Sequence, residues 1–129
     1  MAHALPRYQL VALDCPDPLA LAKFYSELTG LPVEPLGDFA PDDVEWIELD
    51  NGDHPCIAFQ KIDNYVAPTW PEGPVPQQLH LDFIVDDLDA GEQHVLSIGA
   101  TKHHVQPAST FRVYLDPVGH PFCLVTGDD

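Results

Sequence analysis

The sequence predicts an α+β fold made of two tandem βαβββ modules that form a curved mixed sheet around a cup. Two internal matches carry this prediction. Residues 10–17 and 80–87 are both strand-like apolar runs that end in acidic residues before a helix. Residues 48–55 and 114–121 share a Leu-Asp pair followed, at the same spacing, by a His-Pro pair. Because both matches occur in the same order with nearly constant separation, they indicate a duplicated unit.

Each module begins with a strand and a helix whose ends are marked in the sequence. Asp17 precedes a proline, so it can cap the first helix while the proline occupies the first turn. Gly30 is expected to end that helix. In the second module Asp86 or Asp87 is the predicted cap, and Gly99 the predicted end. Between these signals, apolar residues recur at helical spacing.

Three short strands are predicted after each helix, at 32–37, 44–50 and 56–61 in the first module and at 101–105, 111–116 and 121–126 in the second. The modules are predicted to span residues 6–62 and 78–127. Residues 63–77 contain several prolines, which remove backbone donors and stiffen the chain, so this segment is predicted to be a linker. We expect Trp70, inside it, to pack on the domain.

Composition narrows the classes of partner. The 129 residues carry a net charge of −16, from 21 acidic and 5 basic side chains. Nucleic acids and anionic membranes are bound through cationic patches, so neither is an expected partner. The three cysteines lack CxxC spacing and predict no disulfide framework. No apolar run resembles a signal peptide or a membrane span, and we expect a cytoplasmic protein.

The module layout and several segments resemble the glyoxalase, bleomycin-resistance and extradiol-dioxygenase superfamily, the vicinal oxygen chelate proteins. The segments are Phe24-Tyr25, Gly30-Leu31 and residues 115–121, and residues 70–82 are similar to a glyoxalase-like subgroup. The resemblance covers about residues 6–127. It implies a homodimer, and a fold shared by isomerases, epimerases, lyases, dioxygenases and non-enzymatic drug binders.

Strand alternation predicts which side chains face the cup. In the second module His80 and Asp82 alternate with an apolar row that includes Leu81 and Phe83, so we expect the first two to point into the cup. The same reasoning on the other strands gives a mixed lining of Tyr8, Leu10, Trp46, Glu48, Phe59, His80, Asp82, Arg112, Tyr114 and Cys123. Apolar walls with a few polar groups are typical of a small-molecule site; a dimer interface or a second core is the alternative.

The resemblance also implies where a metal would bind. Metal-dependent members take one ligand from the first strand and one from the last strand of each half. The corresponding positions here are Leu10, Ile57, His80 and Cys123. The first two carry no donor, His80 can ligate, and Cys123 could do so only as a thiolate. We therefore expect no resident cofactor; the alternative is a divalent metal at His80, joined by Glu48 or Asp82.

The candidate roles follow from this lining. The candidate catalytic residues are His80, Asp82 and Glu48, with the histidine as proton carrier. The candidate ligand-binding residues are Tyr8, Trp46, Phe59, Arg112, Tyr114 and Cys123. Arg112 is expected either to pair with a cup carboxylate or to grip an anionic ligand, and a surface or structural ion pair is the alternative. Cys123 is expected to be a buried cysteine rather than a nucleophile.

The sequence favours a protein whose cup binds a small, partly aromatic metabolite or antibiotic without the usual four-ligand metal site. The alternative is an enzyme: a metal-dependent lyase, isomerase or dioxygenase, or a metal-free acid–base catalyst that uses His80. A regulatory domain whose cup is filled by its own side chains is a third interpretation. The expected partners are a small molecule and a second copy of the chain.

Overall fold

The computed structural model describes residues 5–127, and the chain divides into two compact units between Tyr65 and Val66. Each unit contains a strand, a helix and further strands in the predicted order. The α+β fold class and the βαβββ modules are therefore confirmed. Within the described part of the chain, no helix is both long and apolar enough to cross a membrane.

The first unit has a three-stranded mixed sheet. Its elements are β1 (Leu10–Cys15), α1 (Pro18–Thr29), β2 (Trp46–Glu48) and β3 (Cys56–Lys61), with a 3₁₀ turn at Pro41–Asp43. The sheet order is β1-β3-β2, with β1 parallel and β2 antiparallel to β3. The strand predicted at 32–37 is reduced to an isolated bridge between Val33 and Leu49, next to a hydrogen bond from Glu34 N to Glu48 O (2.9 Å).

The second unit has a four-stranded mixed sheet. Its elements are β4 (Leu81–Val85), α2 (Leu88–Ser97), β5 (Thr101–Lys102), β6 (Phe111–Leu115) and β7 (Pro121–Thr126). The order is β4-β7-β6-β5, and β4 and β7 are parallel. Residues 66–77, predicted as part of a linker, cluster with this unit. Within them Thr69 Oγ1 donates to Val75 O (2.8 Å) and accepts from Val75 N (2.9 Å), which closes a loop.

Both helices begin at capping aspartates. Asp17 accepts a hydrogen bond from the backbone N–H three residues on (3.3 Å), and Gly30 ends α1 with a left-handed φ of 81°. Of the two candidate caps for α2, Asp87 is the one that caps, accepting from Asp89 N (3.1 Å). These contacts satisfy orphan N–H groups that the first helical turn leaves unpaired.

Each helix packs on one side of its own sheet. Leu13, Ile47 and Phe59 lie side by side across the first sheet and are buried, and Tyr25 of α1 stacks on Phe59 with ring centroids 5.6 Å apart. In the second unit, a Cβ added to Gly91 of α2 would lie 3.0 Å from the Val85 side chain and 3.1 Å from the Leu124 side chain. The glycine therefore allows α2 to approach its sheet closely.

Candidate functional site

Each sheet has one side covered by its helix and one side that faces away from it, which we call the helix-free face. Residues paired directly across strands share a face, so the strand register defines this side. In the first unit it carries Ala12, Asp14, Trp46, Glu48, Ala58 and Gln60, and in the second unit Asp82, Ile84, Val113, Cys123 and Val125. His80 lies just before β4, and its imidazole reaches the Asp82 carboxylate on this face.

The second unit brings three chemically useful side chains together. His80 Nε2 lies 3.1 Å from Asp82 Oδ1, and Asp82 is the cross-strand partner of Cys123. One ligand-type atom from each of the three lies within 4.8 Å of the others. The His80 and Asp82 side chains are 29% and 56% exposed, whereas Cys123 is buried. A molecule in contact with this face can therefore reach the imidazole and the carboxylate, but not the thiol.

The thiol of Cys123 is protonated at neutral pH. Burial, the negative charge of Asp82 and a hydrogen bond with Asp82 together raise the pKa of Cys123 to about 12. Only a thiolate acts as nucleophile or metal ligand. Cys123 is buried, as expected, and its thiol lies beneath the exposed Asp82 carboxylate rather than at the surface.

Two residues of the preceding loop support His80. The Trp70 ring stacks on the imidazole with centroids 4.7 Å apart and 15° between planes. The side-chain amide of Gln77 reaches both Trp70 Nε1 and His80 Nδ1. Trp70 was expected to pack on the domain, but Gln77 was not singled out. The available signal was its place in the segment 70–82, which carries the subgroup resemblance.

The residues do not fit the four-ligand metal centre implied by the resemblance. Leu10 has no donor atom, and the β3 residue that corresponds to Cys123 in register is Ala58, the partner of Ala12, whose side chain has none either. In the second unit His80 and Asp82 can ligate, and Cys123 can do so only as a thiolate, whereas burial and the Asp82 carboxylate raise the pKa of its thiol. A three-donor group in one module is a different arrangement from two donors in each.

The first unit contains an open depression of about 1160 Å³. It lies where β1 begins and where the turn of residues 50–55 enters β3. Its lining combines an aromatic ring, carboxylates and two basic side chains: Arg7, Tyr8, Gln9, Leu10, Glu34, Pro35, Glu48, Leu49, Asp50, Asn51, Gly52, Asp53, His54, Pro55 and Cys56. Of the residues predicted to line the cup, Tyr8, Leu10 and Glu48 meet in this depression. Tyr8 is 66% exposed, so its ring is available for contact.

Glu48 is held in place by its neighbours. Trp46 Nε1 donates to Glu48 Oε2 (3.0 Å), and the backbone N–H of Glu48 donates to Glu34 Oε1 (2.9 Å). Trp46 itself lines a second, smaller hollow of about 390 Å³ together with Phe39 and Val44. Trp46 thus links the two hollows of the first unit through its hydrogen bond to Glu48.

The direction predicted for Arg112 and Tyr114 is wrong. Tyr114 pairs with Phe122 and stacks on its ring (5.6 Å), on the side covered by α2. Its hydroxyl donates to Glu92 Oε1 of α2 (2.8 Å), and Arg112 forms ion pairs with Asp89 (2.8 Å) and Glu92 (3.4 Å). The prediction counted β6 out of phase with β7, and a one-residue slip moves every side chain to the other face. The alternative expected for Arg112, a structural ion pair, is what the structure has.

The direction predicted for Phe59 is also wrong, because the prediction counted β3 one residue out of phase with its neighbours. Its partners across the sheet are Leu13 and Ile47, and it stacks on Tyr25 of α1, so it is a core residue on the helix side. The neighbouring Ile57 shares that side. The metal position that the resemblance assigns to Ile57 is therefore one residue out of register with Ala58.

Several solved structures share this architecture. A glyoxalase/bleomycin resistance protein/dioxygenase family enzyme from Burkholderia phytofirmans PsJN is 19% identical, with a TM-score of 0.64, and the match covers 90% of this chain and 94% of that one. The fosfomycin resistance protein FosX from Mesorhizobium loti is 15% identical, with a TM-score of 0.68 and coverage of 95% and 93%. A glyoxalase-related enzyme from Fulvimarina pelagi is 20% identical, with a TM-score of 0.63 and coverage of 96% and 90%. These likenesses establish the fold.

The sequence places the chain within that fold. Residues 10–125 match the model of the glyoxalase-like domain family. The chain therefore belongs to the glyoxalase-like domain family, within the vicinal oxygen chelate superfamily. No curated protein matches it in sequence.

Proposed function

We propose that this protein binds a small, partly aromatic organic molecule, and that it does so through hydrogen bonds and ring contacts rather than through a chelated metal. The observation that carries the proposal is the depression of about 1160 Å³ in the first unit, with Tyr8, Leu10 and Glu48 in its lining. Small-molecule sites are concave, with volumes of roughly 300–1,000 Å³ and a few oriented polar groups. The depression is of that order and mixed in character.

The side chains of this depression favour a ligand that donates hydrogen bonds. The lining contains four carboxylates but only two basic side chains, Arg7 and His54. The carboxylates are those of Glu34, Glu48, Asp50 and Asp53. Carboxylates only accept hydrogen bonds when ionised. A ligand with N–H or O–H groups and an aromatic ring would pair with Glu48 and stack on the exposed ring of Tyr8.

The donor chemistry supports metal-free binding. Leu10 and Ala58 supply no ligand atom in the first unit, and in the second unit burial and Asp82 raise the pKa of the Cys123 thiol, which disfavours the thiolate that a metal needs. Because the fosfomycin resistance protein FosX has a similar structure, fosfomycin is included among the ligands to be tested.

The test is a ligand screen by isothermal titration calorimetry on protein treated with EDTA, using partly aromatic metabolites and antibiotics, with fosfomycin added. At least one compound is expected to bind. Tyr8→Ala should then weaken binding roughly tenfold, or ~1.4 kcal/mol. Phe39→Ala is the matched control, because Phe39 is a similarly exposed ring (67%) outside the depression. No binding by any compound, or binding that requires added metal, would contradict the proposal.

A second candidate function is metal-free acid–base catalysis, and the His80–Asp82 contact of 3.1 Å favours it. Both side chains are partly exposed, so a substrate could exchange protons with the pair. For any compound that the protein converts in the presence of EDTA, Asp82→Asn should lower the rate by roughly a hundredfold or more while binding stays within a few-fold. Full turnover by Asp82→Asn, or turnover abolished by EDTA, would exclude this role.

A further inference from the structure

The surroundings of His80 determine which of its ring nitrogens carries the proton. The Gln77 amide lies between three groups: one of its atoms is 2.7 Å from Trp70 Nε1, and the other is 3.2 Å from His80 Nδ1 and 3.3 Å from Leu79 O. An indole N–H only donates hydrogen bonds, and a backbone carbonyl only accepts them. The amide oxygen must therefore face Trp70, and the amide nitrogen must face Leu79 O.

This orientation is independent of the histidine and constrains it. The Gln77 NH₂ group that faces Leu79 O also faces His80 Nδ1, so Nδ1 must be an acceptor without a proton. In the neutral ring the proton then lies on Nε2. There it has a partner, because Asp82 Oδ1 is 3.1 Å away. Only in this tautomer does every donor in the chain of side-chain hydrogen bonds, which runs from Trp70 through Gln77 and His80 to Asp82, face an acceptor.

We propose that Trp70 and Gln77 are positioning residues that hold His80 in its Nε2–H tautomer, so that the His80–Asp82–Cys123 group forms hydrogen bonds and excludes metal. This inference rests on the proposed metal-free function and deepens it. The three donor atoms lie within 4.8 Å of one another, so distance alone does not keep a metal out. A metal-ligating histidine normally donates its other ring N–H to an acceptor such as a carboxylate or a carbonyl. Here that other nitrogen faces a donor, which is the reverse arrangement.

Gln77→Glu tests the proposal with almost no change in shape. A carboxylate accepts hydrogen bonds on both oxygens, so it still accepts from Trp70 Nε1–H, loses the hydrogen bond to Leu79 O and, at a pH where the ring is neutral, favours the imidazole proton on Nδ1. Nε2 is then free to ligate beside Asp82. We expect long-range ¹H–¹⁵N spectra to show the Nε2–H tautomer in the wild-type protein and the Nδ1–H tautomer in Gln77→Glu. Zinc affinity, followed through the His80 ring signals, should rise roughly 10–100-fold in the variant.

Gln78→Glu is the matched control, because it adds the same charge at an exposed neighbouring position. It should leave both the tautomer and the zinc affinity unchanged. A wild-type Nδ1–H tautomer would overturn the proposal, as would an equal gain in zinc affinity in both variants. A tautomer change in Gln77→Glu without a gain in zinc affinity would overturn the statement that the tautomer excludes metal. Because the tautomer is measured without ligand, a failed ligand screen leaves this test intact.

Discussion

Tyr114 is assigned to the core rather than to the ligand-binding surface, and the substitution Tyr114→Phe tests this assignment. Its hydroxyl donates to Glu92 at 2.8 Å, and the residue is completely buried. Burial and the adjacent Glu92 carboxylate raise the pKa of Tyr114, so the phenol remains a donor at all ordinary pH values. The substitution removes this one hydrogen bond and leaves the ring in place.

The cost follows from what remains around Glu92. A hydrogen bond to a charged group contributes roughly 1.5–3 kcal/mol. Glu92 keeps Lys102 at 2.9 Å and Arg112 at 3.4 Å, so its carboxylate is not left unpaired, and the lower end of that range applies. We expect Tyr114→Phe to destabilise the protein by about 1.5 kcal/mol and to lower Tm by roughly 5 °C.

Thermal and urea unfolding measure this loss, and calorimetry with a ligand from the screen measures binding. Ligand affinity should be unchanged, because Tyr114 lies on the helix side of its sheet. Tyr8→Phe is the control for stability, since Tyr8 is exposed. If Tyr114→Phe leaves Tm unchanged and weakens ligand binding, the assignment of Tyr114 to the helix side is incorrect.

Three further predictions concern stability and reactivity. Hydrogen bonds from Lys102 and Tyr114 lower the pKa of Glu92 below 4.5, so its stabilising contribution is complete above about pH 4.5 and is lost as pH falls through the lowered value. Glu92→Gln should therefore flatten the acid side of a Tm-against-pH curve, and an unchanged slope would contradict this. Cys123, with its pKa near 12, should react with iodoacetamide at pH 8 far more slowly than the half-buried Cys56; peptide mass spectrometry would show equal labelling if this is wrong. Gly119→Ala should cost about 1 kcal/mol more than Gly52→Ala in urea unfolding. Both glycines have positive φ, but of the two only Gly119 has a close neighbour, because a new Cβ there would lie 2.8 Å from the Cβ of Ala67. Equal losses of unfolding free energy in the two variants would refute the steric argument.

The repeated Leu-Asp and His-Pro pairs show how sequence and structure agree at the level of turns. Asp116 is buried, and its Oδ1 accepts from Val118 N (2.9 Å) and His120 N (3.0 Å). Asp50, its counterpart in the first unit, accepts from Gly52 N (3.0 Å). The match that revealed the duplication is thus a local hydrogen-bonding pattern. Such patterns are readable from sequence because the partners are only a few residues apart.

The candidate site was predicted in part. His80, Asp82 and Cys123 are predicted on one face and meet there, because Asp82 lies between the apolar Leu81 and Phe83 in β4 and pairs directly with Cys123 of β7. Arg112, Tyr114 and Phe59 were assigned to the wrong face. In β6 all residues are large or apolar, so alternation within the strand does not define a face. Their direction is decided by pairing with β7 and by contacts with α2 and α1.

By itself the sequence determined the duplication, the α+β modules, the capping aspartates of the helices and the placement of Asp82 beside His80. These features depend on local spacing and on residue chemistry. Only the tertiary structure decided the strand register, and with it the faces of Phe59 and Tyr114 and the contact of Gln77 with Trp70 and His80. Register depends on hydrogen bonds between segments far apart in the chain, and a shift of one residue exchanges the two faces of a strand.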